Sequence, residues 1–376
     1  MIYLDNAATT NYKPRQIVDA VTDCILNYSV NPNRGAYGRA LELEEKLCAV
    51  RKKISLLYNN GNPNKVIFCS GCTQALNMAV IGLAQRGHVI ISATEHNAVL
   101  RPVMQLKRKG IIDVSVVFPN EKGEITAESV EKVLRKDTYM LCVAHVSNVT
   151  GKRQNLAPLG LLAKRHGLKF VVDCAQSAGY LPLDLEADGV SAIAFGGHKG
   201  LHGIAGAGVL VLGKEANPSP ITFGGTGTES ENPYQPSCYP EKLEAGTLPC
   251  PAIISIDAGI DYWLKNWKSM GVATENAQEL ILRGLKSIGG VKVYSESNKS
   301  GIVAFNVGEK DSNAVADRLW EKFAIAVRGG LHCAPLMHRY LKTEKQGAVR
   351  ASVSCVTTKQ ECFALLNAVE YLAKKD

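Results

Sequence analysis

The chain has 376 residues, 46% of them hydrophobic and 21% charged, with a formal charge of +8 at neutral pH. That length exceeds one ordinary hydrophobic core and suits two domains with enough buried surface for a deep site. No apolar run approaches the roughly 20 residues of a bilayer span, and MIYLDNAATT at the start lacks the basic and apolar regions of a signal peptide, so a cytoplasmic protein is expected. Lys and Arg are dispersed and mostly alternate with Glu on helix faces. The positive excess therefore reads as solvated surface, with no nucleic-acid stripe and no membrane partner expected. The eleven cysteines are odd in number and scattered, which suits reduced, mostly buried thiols.

In chain order, Leu43, Leu47, Val50, Ile54 and Leu57 form one apolar stripe of an early helix. Buried strands are then expected at Lys65–Ser70, His88–Ala93, Ile112–Phe118, Met140–Val146, Lys169–Asp173, Ser191–Phe195 and Gly208–Leu212. Helices are expected between them at Thr73–Ala84, Ala98–Lys109, Ala127–Arg135 and Leu156–His166. Such alternation predicts an α/β fold with a mainly parallel sheet covered on both faces. After Pro249-Cys250-Pro251 the texture changes. Two helices, Ala252–Met270 and Thr274–Lys286, precede strands near Gly301–Asn306 and Ile325–Arg328 and helices Ser312–Lys322 and Thr358–Lys374. The expected division is a large α/β domain over 13–249 and a smaller α+β domain formed by 1–12 and 250–376.

The strand ends carry the chemistry. Ser70-Gly71-Cys72-Thr73 runs from a strand into a helix, where free N–H groups and the Thr73 hydroxyl favour a phosphate. Its Cys69-Ser70-Gly71-Cys72 pattern is a lone CxxC without a second ligand pair, the nearest histidine being His88, so no metal is expected. His96, in Thr94-Glu95-His96-Asn97, reads as a capping or core histidine, or as one that stacks on a planar cofactor and shuttles protons. Asp173 ends a buried strand at the edge where ligands of parallel sheets bind. It reads as a helix cap or as a carboxylate for a pyridine nitrogen. Lys199 lies among glycines in Phe195-Gly-Gly-His198-Lys199-Gly, as a surface-loop lysine or as a Schiff-base lysine freed by a lowered pKa.

Together these pieces resemble the class V aminotransferase-like family of pyridoxal-phosphate enzymes, and within it the cysteine desulfurases and selenocysteine lyases. The likeness runs from Tyr3-Leu-Asp-Asn-Ala-Ala-Thr-Thr10 through HVSN (His145–Asn148), DCAQSAG (Asp173–Gly179) and EAGT (Glu244–Thr247) to Arg350-Ala-Ser352. It implies a fold-type I transferase with a seven-stranded sheet. It implies that Lys199 holds pyridoxal 5'-phosphate as a Schiff base, that Asp173 meets its pyridine nitrogen and that His96 stacks on the ring. Gly71, Cys72, Thr73 and His198 would hold the phosphate, joined by Thr247 from the second subunit of a homodimer. Gln176 and Asn148 would contact the ring oxygen and the substrate side, and Arg350 would clamp the substrate carboxylate. The family commonly has a serine where this chain has Gly196, a lost hydroxyl for which Thr226 is a candidate substitute.

Arg328-Gly-Gly-Leu-His332-Cys333-Ala-Pro335 decides between chemistries. Cys333 reads as one more buried cysteine or as a nucleophile that His332 helps to deprotonate. Its desulfurase-like context implies the second: cysteine converted to alanine, a persulfide left on Cys333, and a protein sulfur acceptor. The alternatives are a selenocysteine lyase, an aminotransferase or β-lyase with a structural Cys333, or a non-catalytic protein that has kept the fold.

Overall fold

The computed structural model describes residues 1–32 and 35–374. After a short strand β1 (Ile2–Tyr3) come helices α1 (Arg15–Asn27) and α2 (Gly38–Tyr58). The alternating region follows: β2 (Val66–Cys69), α3 (Cys72–Gly82), β3 (Gly87–Ser92), α4 (Asn97–Arg108), β4 (Ile112–Val117), α5 (Ala127–Glu131), β5 (Thr138–Ala144), α6 (Leu156–Arg165), β6 (Lys169–Asp173), β7 (Ala192–Gly196) and β8 (Gly208–Leu212). These strands make one seven-stranded sheet in the order β2-β8-β7-β6-β5-β3-β4. All neighbours are parallel except β8, which runs against both β2 and β7.

The uninterrupted apolar strands follow from burial on both sides. Phe68, Ile90, Leu141, Val143, Phe170, Val172, Ile193 and Phe195 enter one core, while the residues between them, including Val89, Ile91, Cys142, Val171 and Ala194, enter the other. Successive side chains of a strand point to opposite faces, so a sheet covered twice needs no polar alternation.

The region after Pro249 departs from expectation: it adds strands at Val291–Val293 and Val349–Ser352 and a short helix at Pro335–Leu341, and an expected helix break is absent. The two expected helices are a single helix α7 (Cys250–Ser287). Gly271, at the expected break, keeps helical geometry because one glycine costs only about 1 kcal/mol against alanine, whereas a proline would stop the helix. The first half of α7 packs Ile253, Ile256, Ile260 and Trp263 onto the large core. Its second half packs Ala277, Ile281 and Leu285 into a separate core with Phe305, Leu319 and Leu365. That core contains β9 (Val291–Val293), β10 (Ile302–Val307), α8 (Ser312–Phe323), β11 (Ile325–Ala326), β12 (Val349–Ser352) and α10 (Lys359–Lys374), while α9 (Pro335–Leu341) packs Met337 into a small separate cluster with Val149, Ala304 and Ala348. The N-terminal arm joins this part: β1 pairs in parallel with β11, and Asp5 bridges to Ser352. No helix of the described residues is long and apolar enough to cross a membrane.

A buried ion pair ties the early helix to the sheet. Arg51 on α2 grips Glu244 with two hydrogen bonds of 2.8 and 2.7 Å. It also donates to the Val66 carbonyl and lies 4.3 Å over the Phe68 ring. The Phe68 amide donates to Glu244 at 2.6 Å. The glutamate of the EAGT segment is thus structural, fixing the turn that presents Thr247. Arg51→Met leaves that carboxylate buried without its cation and is expected to cost about 3–5 kcal/mol in denaturant unfolding. Adding Glu244→Leu should recover much of the loss, because the pair's desolvation cost goes with it.

Candidate active site

The C-terminal ends of β2, β3, β5, β6 and β7 open on one cavity of about 380 Å³, the edge at which parallel sheets bind ligands. Gly71, Cys72, Thr73, His96, Asn148, Asp173, Gln176, His198, Lys199 and Arg350 all line it. The small region contributes Arg328 and His332 as well, and the N-terminal arm contributes Ala7 and Ala8.

At the β2–α3 turn the first helical amides face the cavity, as an anion requires. Close packing builds this turn. A Cβ on Gly208 would lie 2.3 Å from the Gly71 carbonyl carbon, so only glycine lets β8 approach. Gln74 folds back to accept from the Ser70 amide and hydroxyl, at 2.7 and 2.8 Å.

Asp173 Oδ1 accepts from the Ala175 amide at 2.8 Å and from the Cys72 thiol at 3.7 Å. Both contacts fall on one oxygen and leave Oδ2 for the cavity. Burial foremost lowers the Lys199 amine below its ordinary value, against the opposing pull of Cys72 and Asp173. Among the described residues no side chain hydrogen-bonds this amine. The loop carrying it is braced by the arm: Thr10 donates its hydroxyl to the Lys199 carbonyl at 2.6 Å and its amide to the His198 carbonyl at 3.0 Å.

The histidines are held in defined states. His96 caps α4, its Nδ1 accepting from the Ala98 amide at 3.0 Å, so a neutral ring carries its proton on Nε2. His198 Nδ1 lies 3.1 Å from the Thr9 hydroxyl, and burial, reinforced by Lys199 and Lys13, pushes its pKa down to about 4. The ring also accounts for Gly196: a Cβ there would sit 3.2 Å from His198 Cδ2 and 3.4 Å from Nε2. A serine Cβ there would press on the imidazole, which would have to give by a few tenths of an ångström.

Arg350 is 1% exposed. It donates to the Asn148 carbonyl and to Asp5 Oδ1, both at 2.9 Å, while its Nε and Asn148 Oδ1 are buried without a partner. Gln176 is turned partly to the arm, its amide donating to the Ala7 carbonyl at 2.9 Å. Arg328, which the sequence did not single out, pairs across the backbone with Arg350 and places Nη2 3.8 Å from Cys333 Sγ.

Two expectations are corrected. Thr226 does not enter this cavity. Its hydroxyl meets Thr228 at 3.2 Å, and it lines a separate surface concavity with Phe223 and Tyr234, so within one chain it cannot replace the lost serine hydroxyl. His332 is not placed to deprotonate Cys333: its Nε2 meets the Arg328 carbonyl at 3.2 Å and its Nδ1 meets His338 at 3.4 Å. Both His332 and Cys333 are left-handed, with φ of 51° and 55°, a conformation that costs L residues roughly 1–2 kcal/mol each. Thr247 is exposed on a turn outside the cavity of its own chain.

Glu95 lies beside the site although no motif marks it. It is fully buried beside the site and accepts on Oε1 from Ser92 and, at 2.6 Å, from the Ala144 amide, with Oε2 unpartnered. Burial, with Asp173 adding to it, pushes its pKa from 4.5 up to about 8. Between those values the folded state keeps a proton that the unfolded chain has lost. Stability should therefore fall as pH rises through that window, by about 1.4 kcal/mol per pH unit. In the cofactor-free chain Glu95→Gln should flatten this slope in denaturant titrations; an unchanged slope would assign it to other groups.

The sequence profile of the family "Aminotransferase class-V" matches residues 2–365. A probable cysteine desulfurase of Methanothermobacter thermautotrophicus is 33% identical over 99% of this chain and 94% of its own length. A cysteine desulfurase of Shigella flexneri is 30% identical over 98% of this chain and 93% of its own. Among solved structures, a cysteine desulfurase from Thermococcus onnurineus NA1 superposes with a TM-score of 0.90 at 28% identity, covering 99% of this chain and 94% of that one. The cysteine desulfurase CsdA from Escherichia coli gives a TM-score of 0.86 at 26% identity, covering 98% and 94%.

Proposed function

Because the chain belongs to the class-V aminotransferase family, we propose that it is a pyridoxal-phosphate-dependent cysteine desulfurase that passes sulfur through Cys333. The observation that carries this reading is one cavity lined by a half-buried amine with no hydrogen-bond partner among the described residues, Lys199, and two arginines, with a thiol 3.8 Å from one of them. An aminotransferase has no use for that thiol, and a non-catalytic protein has no use for that amine.

The residues fit the cofactor by their donor set. A free lysine amine, a carboxylate with one open oxygen, helix-end amides and a fixed imidazole are what its aldehyde, pyridine nitrogen and phosphate require. Lys199, Asp173, Gln176, His96, Gly71, Cys72, Thr73 and His198 would hold it. Thr247 would join from the second subunit of a homodimer, a role that suits its exposure on the surface of its own chain. When bound, pyridoxal phosphate supplies a sink for the electron pair released at the substrate Cα.

Arg350 orients the substrate carboxylate, with Asn148 beside it. Lys199 takes the Cα proton and returns a proton as the product forms. Cys333 sulfur attacks the substrate sulfur: an S–S bond forms, the Cβ–S bond breaks, and the carbon takes the electron pair and then a proton. L-cysteine leaves as L-alanine and the enzyme thiol becomes a persulfide, which an acceptor thiol collects. Sulfur-labelled L-cysteine tests this, the expected result being equimolar alanine with the label on the Cys333 peptide by mass spectrometry. Alanine without protein-bound label, or keto-acid-dependent conversion of the cofactor to its amine form, would replace this reading with a lyase or an aminotransferase.

A further inference from the structure

We infer that His338 and Thr343 are positioning residues for Cys333, through a buried file of hydrogen bonds that fixes the proton of His332 and with it the loop joining Arg328 to the thiol. The inference rests on the sulfur-carrying role proposed for Cys333. His332, His338 and Thr343 are 2%, 0% and 2% exposed. His338 and Thr343 lie outside the cavity lining, so no step of the reaction engages them directly.

The proton positions follow from the partners. The Arg328 carbonyl can only accept, so His332 Nε2, 3.2 Å away, carries a proton. Burial keeps this ring neutral, with its pKa pushed down to about 2, and His332 Nδ1 is therefore an acceptor. The group facing it at 3.4 Å is His338 Nε2, which must donate. His338 Nδ1 is then the acceptor, and the Thr343 hydroxyl donates to it across 2.8 Å. Burial likewise holds His338 neutral, its pKa being pushed down to about 4. The two rings lie 5.6 Å apart at 22°.

The consequence reaches the thiol through the backbone. Arg328 accepts from His332 on the same carbonyl that takes the Arg350 amide at 2.7 Å. The side chain of His332 is thereby fastened to the strand pair that aims Arg328. Its own carbonyl accepts from Asn148 at 2.7 Å, and the Cys333 carbonyl accepts from the Asn97 amide at 2.7 Å. Two successive left-handed residues persist only when the surroundings overdetermine them. Without the His338 donor one of those restraints is lost and a buried nitrogen is left unsatisfied.

The test uses the cofactor-loaded enzyme with His338→Leu and His338→Gln, since the glutamine amide can replace the Nε2 donor. For His338→Leu we expect kcat for alanine formation to fall about tenfold, as a small displacement of a reacting group does. KM for L-cysteine and the cofactor absorbance should stay unchanged, and His338→Gln should recover kcat to within about threefold. Wild-type kcat in His338→Leu, or a Gln variant no better than Leu, overturns the inference. Nitrogen-15 NMR of the imidazoles gives a readout independent of turnover: both rings should be neutral with the proton on Nε2, and a His332 proton on Nδ1 also overturns it. If the wild type makes no alanine from cysteine, the proposed function fails while the NMR still decides the proton file.

Discussion

Replacing Lys199 with alanine is expected to give a folded protein that turns over L-cysteine at least 10²–10⁴-fold more slowly, the range lost with a positioned acid–base group. The loss arises because one amine is assigned two duties, linkage to the cofactor and movement of the Cα proton. Borohydride reduction followed by peptide mapping should show the cofactor's mass on Lys199 in the wild type and no such adduct in the variant. The stability effect should have the opposite sign. Burial lowers the Lys199 pKa, so between that lowered value and 10.5 the unfolded chain binds a proton that the folded chain has given up. Folding is therefore penalised below the lowered pKa, and the penalty lifts as pH rises through this window. At neutral pH the cofactor-free Lys199→Ala protein should be at least as stable as the wild type. A large destabilisation would mean that the lysine is a structural element and that the cofactor assignment is wrong.

The same sign argument marks Lys199 as a residue kept at a cost to the fold, which is why it was legible in sequence. A lysine among glycines between buried strands reads either as a surface-loop residue or as a functional amine, and its place in the cavity lining comes from the fold. Asp173 and the Gly71–Thr73 turn were legible for a related reason: strand ends followed by helix starts converge on one sheet edge whatever the side chains between them. The strands themselves were readable because a sheet covered on both faces must be apolar throughout.

What was not legible depends on pairings distant in sequence or on backbone hand. Arg328 became a site residue only when β12 brought Arg350 beside it, a contact that no local pattern encodes. His332 stands next to Cys333, and adjacency suggested a base. The consecutive positive φ values instead turn the ring toward Arg328 and His338. Gly196 reads in sequence as a lost hydroxyl, and only the fold shows the His198 imidazole 3.2 Å from where a Cβ would stand. The continuity of α7 was not legible either, because its two halves pack against different cores that meet only in the folded chain.

Replacing Cys333 with alanine should separate sulfur chemistry from the chemistry of the cavity beside it. Cofactor linkage, substrate binding and Cα deprotonation are assigned to Lys199, Asp173, Asn148 and Arg350, so the absorbance change on adding L-cysteine should persist with an unchanged midpoint. Release of alanine should fall by about 10²-fold or more, since the substrate sulfur has lost the nucleophile that accepts it and a thiol is a poor leaving group from carbon. Selenocysteine offers the sharper contrast. Selenium leaves carbon more readily, so selenide expulsion need not wait for a thiol, and the variant should retain much of its alanine formation from that substrate. If cysteine turnover survives in Cys333→Ala, the persulfide route is removed and the thiol is structural. If both substrates fail equally while binding is intact, Cys333 acts before C–S cleavage, and its contact with Arg328 becomes the place to look for that earlier role.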